Sequence, residues 1–455
     1  LNVCSTDLNS VDDSQVRLDV LADIAQRLLE RAHACGATQA EVGCSEERGL
    51  DVNVRMGDVE TVESTCDRSI GVTLYFGQRK GSASTADLQE ASLEATVAQA
   101  CAIARYTEDD PANGLADPVR MATVFPDLDC WHPWTLEAGT AVDLALGCEA
   151  AGRAADARIV NSDGASVSTR FALSVYANSH GFVGRERMTQ HSMSCALIAG
   201  QGDGMQRDGW YTNALAREDL ELPVAVGRKA AERTVARLQP RSLATTQLPV
   251  LFVPEVARSL IGHLLNAVSG GALYRRASFL LDSVGTRLFP EWFAINERPH
   301  LRRGLRSATF DAEGVATCDA PLVAGGVLQR YVLSSYSARK LGLQSTANAG
   351  GVHNLEVIAN AVDLDALVAG LPRGLLVTEL MGSGVNPVTG DYSRGAAGFW
   401  IENGAIAYPV DGLTIAGNLR EMFSAIEAVG ADVDRRSHVS MGSLLIGRMM
   451  VAGND

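Results

Sequence analysis

Between Gly384 and Gly417 the chain carries seven glycines and two prolines, set in alternation with apolar and aromatic residues. Glycine and proline are poor helix formers, while the aromatic and β-branched residues between them suit a pleated surface. The stretch therefore predicts tight antiparallel hairpins rather than a helix or a solvated linker. Ala397 to Ile401 reads as one strand, Glu402-Asn403-Gly404 as its turn and Ala405 to Val410 as the return. Asn-Gly is a strong hairpin signal because both residues tolerate positive φ. Just ahead, Asp391-Tyr392-Ser393-Arg394 sets an acid, a phenol, a hydroxyl and a guanidinium between Gly390 and Gly395. Such a run offers polar side chains from a backbone that another chain can approach closely. A polar corner that merely joins strands is the simpler account of the same residues.

The whole chain of 455 residues is 46% apolar and 20% charged, the composition of a soluble globular protein of two or three domains with sizeable cores. Its net charge of −15 repels polyphosphate, and no long Lys/Arg run reverses the sign locally, so direct nucleic-acid binding is not expected. The nine cysteines, at 4, 35, 44, 66, 101, 130, 148, 195 and 318, are odd in number, scattered and free of any C-x-x-C pair. That pattern fits reduced thiols better than a disulfide framework or a zinc ribbon. The start of the chain shows no basic flank followed by an apolar core, Asp12-Asp13 would spoil a signal peptide, and nowhere do eighteen apolar residues run together. A cytoplasmic protein without membrane contact is expected.

In chain order, Leu21, Ile24, Ala25, Leu28, Leu29 and Ala32 recur at helical spacing with Gly36 placed as a C-terminal cap, predicting an opening helix. Strands are expected at 40–44, 50–55, 59–65 and 70–76, a loop at 77–81, and a second helix ending near Tyr106. A connection at 107–134 leads to a second unit of the same outline. Its helix spans about 136–155, its strands lie around 165–176, 181–191 and 193–198, and a closing helix covers 223–238. Gly200 to Trp210 reads as an exposed loop. Similar order without residue-level similarity leaves an internal duplication speculative. From Leu248 to Val253 a short apolar strand passes at Pro254 into a helix whose stripe is Val256, Leu260, Leu264 and Val268. The fold class is α+β, with a helix and antiparallel-sheet region at 1–110, a similar middle region at 111–245 and a strand-rich C-terminal domain at 246–455.

Familiar catalytic patterns are missing. Gly202-Asp203-Gly204 lacks the remaining spacing of a nucleotide loop, Ser166 and Ser383 lack the flanking glycines of a nucleophile elbow, and His33, His132, His180, His191, His300, His353 and His438 form no i, i+4 pair. The paired carboxylates Asp12-Asp13, Glu46-Glu47 and Asp109-Asp110 sit in polar contexts that read as solvated surface.

The run from Asp391 to Gly404, followed by Thr414-Ile415-Ala416-Gly417-Asn418-Leu419, resembles the C-terminal signature of the TldD/PmbA family, in particular its PmbA (TldE) branch. Tyr336 to Gly342, Asn348 to Asn354 and Thr378 to Gly382 add supporting runs in the same order. The likeness is dense from about residue 248 onward and looser before it. It implies a cytoplasmic metallopeptidase of unfolded or small peptides, associated with maturation of a microcin precursor and turnover of an antitoxin. A TldD-like chain would hold Zn²⁺ or another divalent metal, and a PmbA-like chain would complete the substrate chamber. An older association of the family is with control of DNA gyrase.

In the TldD branch the strand-to-helix junction carries a His-Glu-x-x-x-His motif, whose imidazoles hold the metal while the carboxylate acts as base. This chain has Pro254, Glu255 and Ser259 there, and Met441 at about the position of the family's thiol ligand. No metal or other cofactor is therefore expected in this chain, and a TldD-like subunit is its expected partner, with a homodimer as the state of the isolated chain. Glu255 and His263 are the only catalytic candidates, and a histidine satisfied by local hydrogen bonds is the simpler account of His263. Asp391, Tyr392, Ser393, Arg394 and Trp400 are expected to line a substrate channel, with the glycine-rich strand offering an edge to an extended peptide. Phe399, Trp400 and Tyr408 are expected either in the core or against a partner. An autonomous metal-dependent peptidase and a non-enzymatic regulator linked to gyrase are the rival readings.

Overall fold

The computed structural model describes residues 13–453. The expectations about Cys4, Asp12 and the first residues lie outside them. Two helix–strand–strand–strand–helix units open the chain. The first is α1 (Ser14–Ala34), β1 (Gln39–Arg55), β2 (Asp58–Phe76), β3 (Arg79–Thr85) and α2 (Glu90–Tyr106). The second is α3 (Ala138–Arg153), β4 (Ile159–Asn178), β5 (Val183–Ala199), β6 (Gln206–Ala214) and α4 (Pro223–Ala236). Their strands form one six-stranded sheet in the order β3-β2-β1-β4-β5-β6, with β1 and β4 antiparallel at its centre. The repeated outline expected from sequence is thus present as an architecture, two like units joined back to back through their first strands.

The strands are longer than the sequence suggests. β1 runs unbroken through Ser45–Gly49 because Glu46, buried in the helix-covered face, is gripped by Arg17, Arg48 and Arg68. The expected solvated pair Glu46-Glu47 is therefore a surface feature only at Glu47. Asp110 is likewise engaged, accepting from the Tyr336 hydroxyl at 2.8 Å and pairing with Lys340 at 2.8 Å. The expected loops at 77–81 and 200–210 contain the beginnings of β3 and β6, whose polar outer faces hide their alternation. All four helices lie on one face of the sheet over Val42, Leu50, Val52, Leu74, Val167 and Leu197.

The C-terminal region holds the largest core and two sheets. Short strands β8 (Ile295–Glu297), β9 (Ala320–Ala324), β10 (Val327–Leu328) and β11 (Leu355–Val357) join β16 (Val439–Ser440) in the order β10-β9-β8-β11-β16. The other sheet comprises β7 (Thr246–Phe252), β12 (Arg373–Met381), β13 (Asp391–Glu402), β14 (Ala405–Asn418), β15 (Ile426–Val429) and β17 (Leu444–Ala452). Its order is β14-β13-β12-β7-β17-β15, and a further pairing of β14 with β17 closes it on itself. The hairpin turns where expected: Asn403 and Gly404 have φ of 53° and 76°, the two positive values of a type I′ turn. Gly398 is required by close approach, since a Cβ there would stand 1.8 Å from the Leu376 carbonyl oxygen.

Candidate functional site

Helix α5 (Pro254–Ala267) follows β7 directly, with Pro254 in its first turn, where a missing amide donor costs nothing. Its apolar stripe of Val256, Leu260 and Leu264 is buried as expected. Glu255, Ser259 and His263 recur every fourth residue along another face, since i, i+4 positions stack in a helix. At the head of that face the Arg233 guanidinium donates to the Glu255 carboxylate at 2.6 Å, and Arg233 also bonds Asp208 at 3.3 Å. Arg237 continues the row to Asp208 and Glu379. Glu255 thus ties the middle region to the C-terminal region, beside a cleft of about 470 Å³ that Trp210, Asp434 and Arg436 also line.

Further along that face Ser259 and His263 have no such partners among the described residues. His263 meets the Tyr392 ring edge to face, centroids 5.9 Å apart. Tyr392 is 1% exposed, and Arg394, two residues on, points to the same side of β13. The charge of Arg394 acts on both rings. Burial, then that charge, holds the His263 imidazolium below its ordinary range. Burial pushes the Tyr392 phenol up to about 12, and Arg394 opposes the shift. The Ser259 hydroxyl, His263 Nε2, the Tyr392 hydroxyl and Arg394 Nε are all sealed from solvent without a hydrogen-bond partner. So is the hydroxyl of Thr378, next to Val377, whose carbonyl accepts from the Val253 amide at the entry to α5. Each such group costs about 1–3 kcal/mol when nothing satisfies it.

The other expected channel residues divide. Asp391 is exposed and accepts from Thr389 at 2.6 Å and Asn418 at 3.3 Å, bonds that hold its carboxyl below the usual range. Ser393 is exposed, whereas Trp400 is buried, stacked on Tyr408 at 6.5 Å with the Arg373 guanidinium over its ring. The expected free edge is absent: β14 pairs along one side of β13, and on the other β12 covers Gly395–Glu402 while the segment 384–386 bonds the backbone of Asp391 and Ser393, so the glycine-rich strand has no vacant backbone row to give a peptide. Its glycines serve the close packing of neighbouring strands instead.

Sequence reasoning missed a second polar cluster. Glu297, 2% exposed, accepts from Arg330, the Asn348 amide at 2.9 Å, and the backbone and ring of His353 at 2.7 and 2.9 Å. These residues belong to segments far apart in the chain, and only the run from Asn348 to Asn354 gave a sign of them.

The donors around α5 do not fit a metal ion. Glu255 is committed to Arg233, Ser259 offers a neutral hydroxyl, Met441 is a buried thioether, and His263 stands as a lone imidazole within the field of Arg394. A divalent cation needs several anionic or imidazole ligands and is repelled by a nearby guanidinium. Among the described residues, no three His, Cys, Asp or Glu side chains converge, and no helix is long and apolar enough to cross a membrane.

Comparison with known proteins gives matches along most of the chain. Residues 40–104, 131–238 and 245–453 match patterns described as PmbA/TldA metallopeptidase domain 1, central domain and C-terminal domain. The chain is 46% identical over 414 residues to the metalloprotease PmbA of Escherichia coli O157:H7, covering 91% of this chain and 92% of that one. A crystal structure from Bacteroides thetaiotaomicron, described as a candidate modulator of DNA gyrase, superposes with a TM-score of 0.90 at 28% identity over 95% of this chain and 98% of that one. TldE from Thermococcus kodakarensis shares the fold, with a TM-score of 0.83 at 20% identity over 94% and 100% of the two chains.

Proposed function

The chain belongs to the PmbA/TldD metallopeptidase family, and we propose that within it this chain is the subunit that shapes the substrate chamber while a TldD-like partner holds the metal. The observation that carries this reading is the α5 face. Where the resemblance places two imidazoles there are Pro254 and Ser259, and the one carboxylate, Glu255, is neutralised by Arg233. A general base must be free to accept a proton from water or substrate, and a carboxylate 2.6 Å from a guanidinium is held for structure instead.

The Escherichia coli relative is called a metalloprotease and the Thermococcus neighbour TldE, names that fit the family as a whole. Unfolded or small peptides are the substrates, cleaved in the cytoplasm by the assembled pair. The charge of −15 favours a route to gyrase through peptide degradation over one through DNA contact.

The test is hydrolysis of an unstructured peptide by this chain, by a TldD-like chain and by their mixture, with bound metal quantified in each. Activity confined to the mixture, with metal only in the partner, is the expected result. Activity together with stoichiometric metal in this chain alone overturns the reading.

A further inference from the structure

Helices cover one face of the six-stranded sheet, and the other face looks toward the C-terminal region. Side chains alternate between faces along a strand, so Arg185 and Arg187 of β5 turn to the helix side, reaching Asp19 and Ser14. Glu186 between them turns the other way. The register sets Ser69, Ser45, Ser174 and Glu186 in one row across β2, β1, β4 and β5. Segments 305–312 and 349–353 stand over that row, enclosing a cleft of about 560 Å³. Past Ser174, Glu186 and Met188 it runs into a second cleft of about 670 Å³, walled by the segment 125–131. The floor is low because Gly43 and Gly71 lie beside the row, and a Cβ at either would meet no atom within 4 Å.

The row deepens toward Glu186: Ser45 and Ser69 are exposed, while Ser174 and Glu186 are half-buried. Among the described residues the Glu186 carboxylate accepts no hydrogen bond and pairs with no cation. Burial alone pushes it up to about 7, a desolvation that a partner ordinarily offsets. The cations nearby are engaged elsewhere. Arg170, on the same face, pairs with Glu47 at 3.4 Å, Arg303 pairs with Asp129 at 2.9 Å, and Arg306 donates to the Gly350 carbonyl at 3.3 Å. In the roof Asp311 accepts from the amides of Glu313, Val315 and Ala349. What remains is a floor of serine hydroxyls leading to one uncompensated negative charge, which repels an anion and attracts an ammonium or guanidinium group.

We propose that this cleft takes an extended peptide that carries a cationic group, with Glu186 as the anchor for that group and the hydroxyls of Ser45 and Ser174 as further acceptors. The choice of a peptide rests on the function proposed above, whereas the preference for positive charge rests on the cleft itself. A basic side chain and an amino terminus share this chemistry. From β2 to β5 the floor spans about 14 Å, room for roughly four extended residues. The peptide lies across the strands on the uncovered face and needs no free strand edge.

Calorimetric titration of the isolated full chain tests this with two pairs of peptides. One pair is N-acetyl-alanyl-lysyl-alanine amide and its norleucine counterpart, and the other is trialanine amide and its N-acetyl form. A charge-assisted contact should make the ammonium member of at least one pair bind about tenfold tighter. Preference in the first pair identifies a basic side chain as the source, and in the second an amino terminus. Glu186→Gln should abolish the preference and Glu186→Asp keep part of it, neither lowering the unfolding temperature, because the carboxylate has no partner to lose. Gly43→Leu should weaken every peptide by filling the floor, and Gly71→Val serves the same purpose should that variant not fold. The chain carries a charge of −15, so a preference that survives Glu186→Gln would be general attraction and would overturn the proposal. Equal binding within both pairs, no binding of any peptide, or binding untouched by the floor-filling variant would overturn it too. Neither metal nor a second chain enters these titrations, so their failure removes the site and leaves the outcome of the mixing experiment unaffected.

Discussion

Glu297 and Arg394 are both charged, the first buried and the second half-buried within the C-terminal region, and among the described residues only Glu297 has hydrogen-bond and ion-pair partners. Glu297 is surrounded by Arg330, Asn348 and His353, so that its charge and its acceptor capacity are used within the fold. Arg394 lies beside His263 and Tyr392 with no bond to either. A buried charge is tolerated when its desolvation is offset by charge and hydrogen bonds together. The Glu297 cluster meets that condition alone and acts as a pin between β8 and the loop before β11. The α5 cluster does not meet it among the described residues, so its buried unpaired atoms cost stability where those around Glu297 supply it.

The contrast can be broken first at Glu297. Glu297→Gln leaves Arg330 buried without its counter-charge and should cost about 3 kcal/mol in urea unfolding at neutral pH. A loss under about 0.5 kcal/mol would show that the network is not a structural pin.

Acid should expose the same difference next. Burial raises the Glu297 carboxyl, but the bond from His353 and the charge of Arg330 outweigh it, and its pKa lies below the ordinary 4.5. A depressed carboxylate stabilises the fold above its unfolded pKa and loses that contribution as pH falls through the folded value. Thermal unfolding from pH 6 to 3 should therefore be steeper in the native chain than in Glu297→Gln, and parallel curves would contradict the sign.

Smaller still is the expected effect of Tyr392→Phe, which removes a buried hydroxyl that bonds nothing and should stabilise the chain by about 1 kcal/mol. A loss of 2 kcal/mol or more, on the order of a buried hydrogen bond to a charge, would mean the phenol has a partner within the fold. The least effect belongs to His263, whose imidazolium is disfavoured by burial and by Arg394. A depressed histidine makes the fold lose stability as pH drops below its unfolded value of 6.5. His263→Gln should flatten the stability profile just below that pH, and an unchanged slope would exclude the histidine as its source.

Much of the local structure was legible. Asn403-Gly404 announced the hairpin, the spacing from Leu21 to Ala32 announced α1, and Pro254 with Val256, Leu260 and Leu264 announced α5. The site was legible in what it lacks, because Pro254 and Ser259 cannot supply imidazoles. Its positive side was not legible. Arg233 and Glu255 are 22 residues apart, and nothing local says that the acid is spent on that pair. Glycines in β13 suggested an approachable edge, but β14 on one side and β12 with the segment 384–386 on the other leave no edge.

What the sequence determined alone is therefore what depends on neighbours a few residues away: turns that need positive φ, helices that need an apolar stripe, and a motif that must contain its ligands. The tertiary structure decided which charges are cancelled, which polar atoms stay unpaired and which strand edges are closed. Those outcomes depend on groups brought together from distant segments, and in a low-dielectric interior the partner, not the residue type, sets whether a buried polar group is structural or free to bind.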